Sequence, residues 1–190
     1  YPSVMKHGST NFDDRRHGAK PSLIILHYTG MKNAKAALER LCDPESKVSA
    51  HYVIEESGRL HALVDEDKRA WHAGTSYWDE IVDVNSHSIG IEIVNPGLVP
   101  GPDGSKVFAP YPPAQIDELV RLVKDIVARH QIQPARILGH SDIAPQRKID
   151  PGAAFPWKRL ADEGLIPWPD AQRVAAQKTG YASQLPDVAW

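Results

Sequence analysis

The chain has 190 residues, of which 42% are hydrophobic and 24% are charged. That length fits one domain, and that composition excludes a disordered or collagen-like chain. With 22 basic against 24 acidic residues, the formal charge is -2, which removes the usual electrostatic basis for binding nucleic acid or an anionic membrane. The single Cys42 excludes an internal disulfide framework. We therefore expect a single domain that binds no nucleic acid. A monomer is the expected oligomeric state.

The longest apolar run of the chain covers residues 23–26. This run is far shorter than the roughly 20 apolar residues that cross a bilayer, so no transmembrane segment is expected. No export signal is visible either. These patterns favour a cytoplasmic location, with the periplasm or cell envelope as the alternative.

The first segments predict an arm, a strand and a helix. Residues 1–20 are polar and show no period, which is typical of an amino-terminal arm. Residues 21–29 form an apolar run, the pattern of a strand buried on both faces. A helix follows, capped by Asn33 and stopped by Asp43 and Pro44.

The middle of the chain predicts a hairpin and then a functional segment. Residues 49–64 contain two short apolar stretches around Ser57 and Gly58, a turn signal, and so predict a β-hairpin. Residues 65–87 show no clear period over a long stretch, and such segments in compact domains are commonly functional. We interpret this segment as a wall or lid of a site.

The next strand carries an acidic residue opposite an apolar face. Residues 88–94 alternate, with isoleucines on one face and Glu92 on the other. The stretch 96–113 holds six prolines, so it is predicted to be a loop outside the central strands.

The last elements are a helix, a strand and a short helix. Residues 114–130 have apolar residues at helical spacing. Residues 135–140 predict a short strand that ends in His140, and residues 155–163 predict a helix closed by Gly164. The last 20 or so residues show no periodic pattern and are expected to be irregular.

This order of elements predicts an α/β fold, with a central mixed β-sheet flanked by helices in a single domain. We divide the chain into an amino-terminal arm (1–20), a catalytic domain (21–170) and a carboxy-terminal tail (171–190).

Three residues at or beyond strand ends are candidate metal ligands: His27, His140 and Asp150. Two imidazoles and one carboxylate suit Zn²⁺, and three protein ligands with an open fourth position are typical of catalytic zinc sites. The chain has no cysteine pair and no HExxH motif, so the spacing by itself is suggestive. Taken alone, His27 has an ordinary alternative as a hydrogen-bonded core histidine.

Two further residues are candidates for catalysis. Glu92 lies in a strand of glycine and isoleucine, where a carboxylate is costly to bury unless a cation or a reaction needs it. Beside a metal it could act as a general base. Lys148 shares an extended segment with Asp150 and could stabilise a developing oxyanion. The alternatives are a solvent-facing strand glutamate and a surface lysine.

Four segments carry a resemblance to a known family: SAHYVI, RAWHAG, SIGIEIVN and GHSDIAPQRKIDPG. Together they resemble the zinc-dependent N-acetylmuramoyl-L-alanine amidases of the type-2 amidase family, from about residue 20 to about residue 170. The chain is more similar to the bacterial peptidoglycan-recycling and cell-wall amidases than to the animal peptidoglycan-recognition proteins of the same fold. Phage-type and animal relatives often carry tyrosine where this chain has Ala50. This difference favours Glu92 as the catalytic residue.

The resemblance implies a role for each candidate. His27, His140 and Asp150 bind Zn²⁺, Glu92 is the catalytic base, and Lys148 stabilises the tetrahedral intermediate. It also implies that the cleft is lined by substrate-binding residues, namely His51, Trp71, His72 and Arg147. An aromatic residue such as Trp71 suits the apolar face of a sugar, although such residues are more often part of a core.

The activity implied is hydrolysis of the amide between the lactyl group of MurNAc, or 1,6-anhydroMurNAc, and the L-alanine of the stem peptide. The partner is peptidoglycan or a muropeptide. The alternative is a non-catalytic module of the same fold that recognises peptidoglycan fragments. A structural zinc site would need a fourth ligand, and none is evident near the motifs. The remaining histidines and tryptophans are interpreted as surface or packing residues: His7, His17, His61, His87, His130, Trp157, Trp168 and Trp190.

Overall fold

The computed structural model describes residues 4–181. The ends of the predicted arm and tail, including Trp190, lie outside the described residues. The strands are β1 (Met5–Lys6), β2 (Phe12–Asp14), β3 (Leu23–Tyr28), β4 (Tyr52–Ile54), β5 (Leu60–Ala62), β6 (Lys68–Ala70), β7 (Ser88–Ile93), β8 (Leu98–Pro100), β9 (Lys106–Phe108) and β10 (Ile137–Gly139). The α-helices are α1 (Ala34–Cys42), α2 (Val84–His87), α3 (Pro113–His130), α4 (His140–Ile143), α5 (Trp157–Asp162) and α6 (Ala171–Tyr181).

A six-stranded mixed sheet forms the centre of the fold, in the order β1-β5-β4-β7-β3-β10. Strands β4 and β5 pair antiparallel, which confirms the predicted hairpin, and the other neighbours pair parallel. Since parallel neighbours end at the same edge of a sheet, β7, β3 and β10 bring their carboxyl ends together. The predicted α/β class with a mixed central sheet is confirmed.

Strand β3 and helix α1 follow the sequence pattern. Residues 23–26 are fully buried, because β3 has a neighbouring strand at each edge and packed side chains on both faces. Asn33 caps α1 as predicted, its Oδ1 accepting a hydrogen bond from the Ala36 amide at 2.9 Å.

Helix α3 covers one face of the sheet and builds the largest apolar cluster with it. Its Leu119, Val123 and Ile126 are fully buried against the isoleucines of β7, with residues of α5 at the margin. Both the helix predicted at residues 114–130 and the apolar face predicted for residues 88–94 are confirmed. The opposite side of β7 therefore carries Gly90 and Glu92.

The other face of the sheet carries two smaller apolar clusters. One contains Leu23 and Ile25 of β3 together with Val84 and Ile143. The second contains α1 and the β4 residue Val53. Helices therefore flank both faces, as predicted.

Two segments without helical or strand period hold strands that the sequence did not indicate. Within residues 65–87, β6 pairs antiparallel with β2 of the arm. Within residues 96–113, β8 and β9 form a separate two-stranded hairpin. Pro100 ends β8 there, since a two-stranded ribbon leaves backbone N–H groups unpaired and tolerates proline.

Two helices also differ from expectation. The strand predicted at 135–140 ends at Gly139, and His140 begins the four-residue helix α4, which is too short to show a period. The prediction of an irregular tail is wrong for residues 171–181, which form α6. This segment has no apolar stripe but is rich in strong helix formers, and the Asp170 carboxylate accepts a hydrogen bond from the Arg173 amide at 2.8 Å.

Within residues 4–181, no helix combines the length and the apolar character that crossing a bilayer requires.

Candidate metal centre and active site

Three neighbouring parallel strands deliver three polar residues to one place. The register of β7 and β3 sets Glu92 opposite His27. The register of β3 and β10 sets Gly139 opposite Leu26, so His140, one residue later, stands level with His27. These side chains meet at the carboxyl edge of the sheet, where sites of α/β folds commonly lie.

The loop after α4 adds Asp150 to the two histidines. His27 Nδ1 and His140 Nδ1 are 2.9 Å apart, and Asp150 Oδ2 lies 3.1 Å and 3.2 Å from them. The amide of Ser141 donates a 2.9 Å hydrogen bond to the Asp150 carbonyl, which fixes the end of the loop against α4. All three side chains are buried, and together they could hold a metal ion.

The donor atoms fit a tetrahedral zinc ion. Bonds of about 2.0–2.1 Å to nitrogen and oxygen give ligand-to-ligand distances of roughly 3.3 Å in a tetrahedron. The three observed distances are close to that value. No further histidine, cysteine or carboxylate of residues 4–181 belongs to this group, so a fourth position is open, as in catalytic rather than structural sites.

Protonation of these residues is set by burial and by their partners. Burial lowers the pKa of His27 to about 4, although the nearby Asp150 carboxylate opposes the shift. Burial also disfavours the charged form of Asp150, but the adjacent His140 and His27 side chains outweigh burial and lower its pKa. His140 Nε2 donates to the Ala73 carbonyl at 3.0 Å, which leaves Nδ1 of the neutral ring without a proton.

Glu92 brings an unpaired oxygen to the same place. It lines the cleft with His27 and Asp150, and its Oε2 is buried without a hydrogen-bond partner in the described part of the chain. Burial raises the pKa of Glu92 to about 8; the Asp150 carboxylate adds to the shift and Lys148 opposes it. A cation held by the three ligands would favour the ionised form.

Lys148 and Arg147 lie next to the ligands but have different surroundings. Lys148 lines the cleft, and its ammonium has no ion pair or hydrogen bond to any residue that the structure describes. Arg147 also lines the cleft, while its guanidinium donates to the Ala73 carbonyl at 2.5 Å and to the Thr75 carbonyl at 2.6 Å. Arg147 therefore joins the two loops that border the cleft.

Trp71 is a half-buried wall of the cleft. Its indole N–H donates to the Asp13 carboxylate at 2.9 Å, and its amide donates to the Ser49 hydroxyl at 2.9 Å. The amide bond holds the backbone of Trp71, and the indole bond orients its ring. His72, the next residue, also lines the cleft, and its Nδ1 lies 3.0 Å from His27 Nε2.

His51 is fully buried and is not among the described residues that line the cleft. Its Nδ1 accepts a hydrogen bond from the Gly90 amide at 3.0 Å, so its proton is on Nε2, which donates to the Lys68 carbonyl at 3.1 Å. Both ring nitrogens are therefore used inside the fold. These contacts indicate a structural role, and substrate binding by His51 stays a prediction.

The cleft has a volume of about 440 Å³ and reaches from the ligands to α1. Sequence reasoning did not single out several residues that line it: Tyr28, Met31, Arg40, Val48, Ser49 and Ile149. Most of them stand in segments identified for another reason, as strand end, helix or loop. Their place in the cleft depends on contacts distant in sequence, which no local pattern indicates.

Comparison with known proteins is consistent with this geometry. The Amidase_2 family, described as N-acetylmuramoyl-L-alanine amidase, matches residues 17–153. The chain is 43% identical over 171 residues to N-acetylmuramoyl-L-alanine amidase AmiD of Escherichia coli, covering 86% of this chain and 60% of that protein. It is 33% identical to 1,6-anhydro-N-acetylmuramyl-L-alanine amidase AmpD of Enterobacter cloacae, covering 80% of this chain and 85% of that protein.

A solved structure shares the fold: AmiD from E. coli in complex with the substrate anhydro-N-acetylmuramic acid-L-Ala-D-gamma-Glu-L-Lys. The TM-score is 0.76 at 40% sequence identity, covering 92% of this chain and 67% of that one. The chain thus spans about 60% of the length of the curated AmiD sequence. The family match covers well over half of the chain. The chain therefore belongs to the Amidase_2 family of N-acetylmuramoyl-L-alanine amidases, which confirms the family that its motifs predict.

Proposed function

We propose that the chain is a zinc-dependent amidase that cleaves the bond between the muramyl lactyl group and the L-alanine of the stem peptide. The observation that carries the proposal is the convergence of three ligand atoms and an unpaired carboxylate oxygen in one open cleft. His27, His140 and Asp150 would hold the zinc ion. When bound, zinc would polarise the scissile carbonyl and activate water for attack.

Glu92 has the position of a general base in this reaction. It accepts a proton as the oxygen of the attacking water bonds to the carbonyl carbon. When the carbon–nitrogen bond breaks, the same carboxyl returns the proton to the departing amine of L-alanine. The water oxygen and its second proton stay on the lactyl carboxylic acid. That acid loses this proton to the amine, so the products are a lactyl carboxylate and a stem peptide with an amino-terminal ammonium. The Oε2 atom of Glu92 has no hydrogen-bond partner among the described residues, so it is available for both proton transfers.

Lys148 and the cleft walls complete the proposal. The ammonium of Lys148 stabilises the negative charge that develops on the carbonyl oxygen. Trp71 presents an oriented aromatic ring to the sugar, and His72 and Arg147 border the bound substrate. The catalytic domain is residues 21–170, which contain all of these residues, with an arm at 1–20 and a tail at 171–190.

The form of the substrate and the cellular compartment of the protein depend on each other. AmpD is named for the 1,6-anhydro substrate, and AmiD is bound to an anhydro-muropeptide. We propose an anhydro-muropeptide or peptidoglycan strand as the substrate, with the chain acting as a monomer. A cytoplasmic location accords with cleavage of soluble anhydro-muropeptides, whereas the envelope accords with cleavage of intact sacculi. Sedimentation equilibrium tests the monomer, and cell fractionation tests the compartment.

The deciding experiment is product analysis by mass spectrometry. Purified full chain is incubated with an anhydro-muropeptide and, separately, with intact sacculi, each with and without a chelator. We expect stem peptide to be released without chelator, release to stop with it, and added Zn²⁺ to restore it.

Two outcomes would contradict the proposal. Release that a chelator does not stop would remove the metal from the mechanism. Binding of muropeptide by the zinc-loaded protein without any release would favour the recognition module instead. A Glu92→Gln variant is the matched control for contaminating hydrolase, because it keeps the metal ligands and should release no peptide.

A further inference from the structure

His72 is held in a chain of contacts that ends at the metal ligand His27. His27 Nε2 lies 3.0 Å from His72 Nδ1, and His72 Nε2 lies 3.0 Å from the Ser88 hydroxyl. The Ser88 hydroxyl in turn lies 2.6 Å from the Val84 carbonyl. His27, His72 and Ser88 are all buried, so water does not compete for these bonds.

The carbonyl at the end fixes the direction of every bond in the chain. A carbonyl oxygen only accepts, so the single proton of the Ser88 hydroxyl is donated to Val84. The Ser88 hydroxyl must then accept a hydrogen bond from His72 Nε2, so Nδ1 of the neutral His72 ring is unprotonated. This unprotonated Nδ1 of His72 accepts a hydrogen bond from His27 Nε2. His27 Nδ1 is consequently free of a proton and faces His140 and Asp150.

We infer that His72 is a positioning residue that fixes the tautomer and ring orientation of the ligand His27 through this relay from the Val84 carbonyl. This role differs from the one that the resemblance implied for His72, which was substrate binding. Partners of this kind on metal-bound histidines commonly raise metal affinity by 10- to 100-fold.

The segment around His72 serves the second histidine ligand as well. The carbonyl of Ala73 accepts the Nε2 proton of His140. The Asn85 side-chain oxygen accepts from the amides of His72 and Ala73, at 3.1 Å and 2.8 Å. One amide side chain thus holds both residues that orient the two histidine ligands.

Gly90 provides the space that this arrangement needs. A Cβ atom at Gly90 would lie 2.4 Å from the His72 ring, far inside van der Waals contact. The neighbouring strand residues have side chains, whereas the position under the His72 ring has none. The strand is therefore shaped to accept the imidazole against its backbone.

The first test is the protonation of the rings in the full chain without metal. Long-range ¹H–¹⁵N NMR spectra at neutral pH report which nitrogen of each imidazole carries the proton. We expect the proton on Nε2 in both His27 and His72. A proton on Nδ1 of His27 would overturn the inference. This readout does not require the protein to bind zinc, so it stands apart from the proposed function.

The second test compares two amide substitutions at His72 by zinc competition with a chromogenic chelator. The oxygen of His72→Asn occupies the place of Nδ1 and keeps the acceptor, whereas the amide of His72→Gln lies near Nε2 and loses it. We expect His72→Gln to bind zinc 10- to 100-fold more weakly and His72→Asn to bind it nearly as tightly as the wild type. Equal, wild-type affinity in His72→Gln would overturn the inference.

Two controls separate positioning from folding and from the proposed function. Melting of the metal-free variants reports the fold by itself, and equal melting temperatures with unequal zinc affinity support positioning. Ser88→Ala removes the end of the relay and should weaken zinc binding, while Ser86→Ala removes an equally buried hydroxyl bonded to Asp83 and should not. If the wild type binds no zinc at all, the proposed function fails, while the NMR assignment still decides the relay.

Discussion

The two faces of the central sheet differ although the same strands build both. On the α3 face, β7 presents isoleucines, which pack with Ile24 and Leu26 of β3 into one large cluster. On the opposite face, the alternate residues of β7 are Ser88, Gly90 and Glu92, and β3 carries His27 near its end. One face is packed as a single large apolar cluster, whereas the other combines two smaller apolar clusters with the hydrogen-bonded polar site. On β7, the residues of the large apolar cluster and the residues of the polar site are therefore separated by a single residue step.

Loss of a metal ligand should have the largest effect on activity, through the face of the sheet that carries Glu92 and His27, which we call the site face. We expect Asp150→Ala to lose zinc and activity together, since two histidines alone leave a dication weakly held. Metal content after desalting and release of stem peptide measure both. Asp162→Ala, an exposed carboxylate on α5, is the matched control and should keep both. Retention of zinc by Asp150→Ala would refute the assigned ligand set.

Glu92→Gln should separate chemistry from metal binding. We expect turnover to fall by at least about 100-fold, because a general base commonly contributes 10²- to 10⁴-fold. Zinc content should be unchanged, since the three ligands are intact. Stem-peptide release and metal analysis on the same sample check this. Full activity of Glu92→Gln would remove the proposed base.

Ile91→Ala tests the other face, one residue away on the same strand. Ile91 is fully buried in the cluster under α3, and such a truncation should lower the free energy of unfolding by about 2–5 kcal/mol. Zinc affinity should stay at its wild-type value. Urea unfolding and chelator competition measure the two quantities. The control Val107→Ala, at a half-exposed hairpin position, should change neither quantity. Loss of zinc affinity in Ile91→Ala would show that the two faces are not independent.

Glu66 gives the smallest effect, through pH. Burial raises its pKa, but hydrogen bonds from Arg129, His130 and Tyr52 outweigh burial and hold it at about 2. The pKa of Glu66 in the folded chain is below the pKa of about 4.3 in the unfolded chain. The ionised carboxylate therefore stabilises the fold at pH values above about 4.3. The contribution is lost as pH falls toward 2, and it amounts to roughly 3 kcal/mol at most.

The measurement is urea unfolding of metal-free wild type and Glu66→Gln at several pH values. The wild type should be the more stable protein at pH 7, and the difference should shrink between pH 5 and pH 3. A difference that is constant with pH would exclude the ionised carboxylate as its source.

The sequence predicts the central strands and helix α1 well because these elements depend on local periodicity and capping. The buried strand at 21–29, the Asn33 cap and the isoleucine alternation are each properties of a few consecutive residues, and all three are confirmed. Helix α6 was missed because it has no apolar stripe to reveal it.

The site face was predicted in part, through motifs. His27, His140 and Asp150 come together as the resemblance implied. The roles of their partners were not accessible, since the hydroxyl of Ser88 and the amide of Asn85 are ordinary polar residues until the fold places His72 between them. His51 shows the converse case, in which a motif residue has all its ring contacts inside the fold.

The pairing of Glu92 with His27 in register has a consequence for insertions and deletions. Side chains alternate along a strand, so a slip of β7 by one residue against β3 would turn Glu92 toward α3 and bring an isoleucine into the cleft. If removal of one residue from the segment 75–83, which precedes α2 and β7, caused this slip, every motif would be intact while an isoleucine replaced the acid in the cleft. Catalytic competence in this fold is thus a property of strand alignment as much as of residue identity.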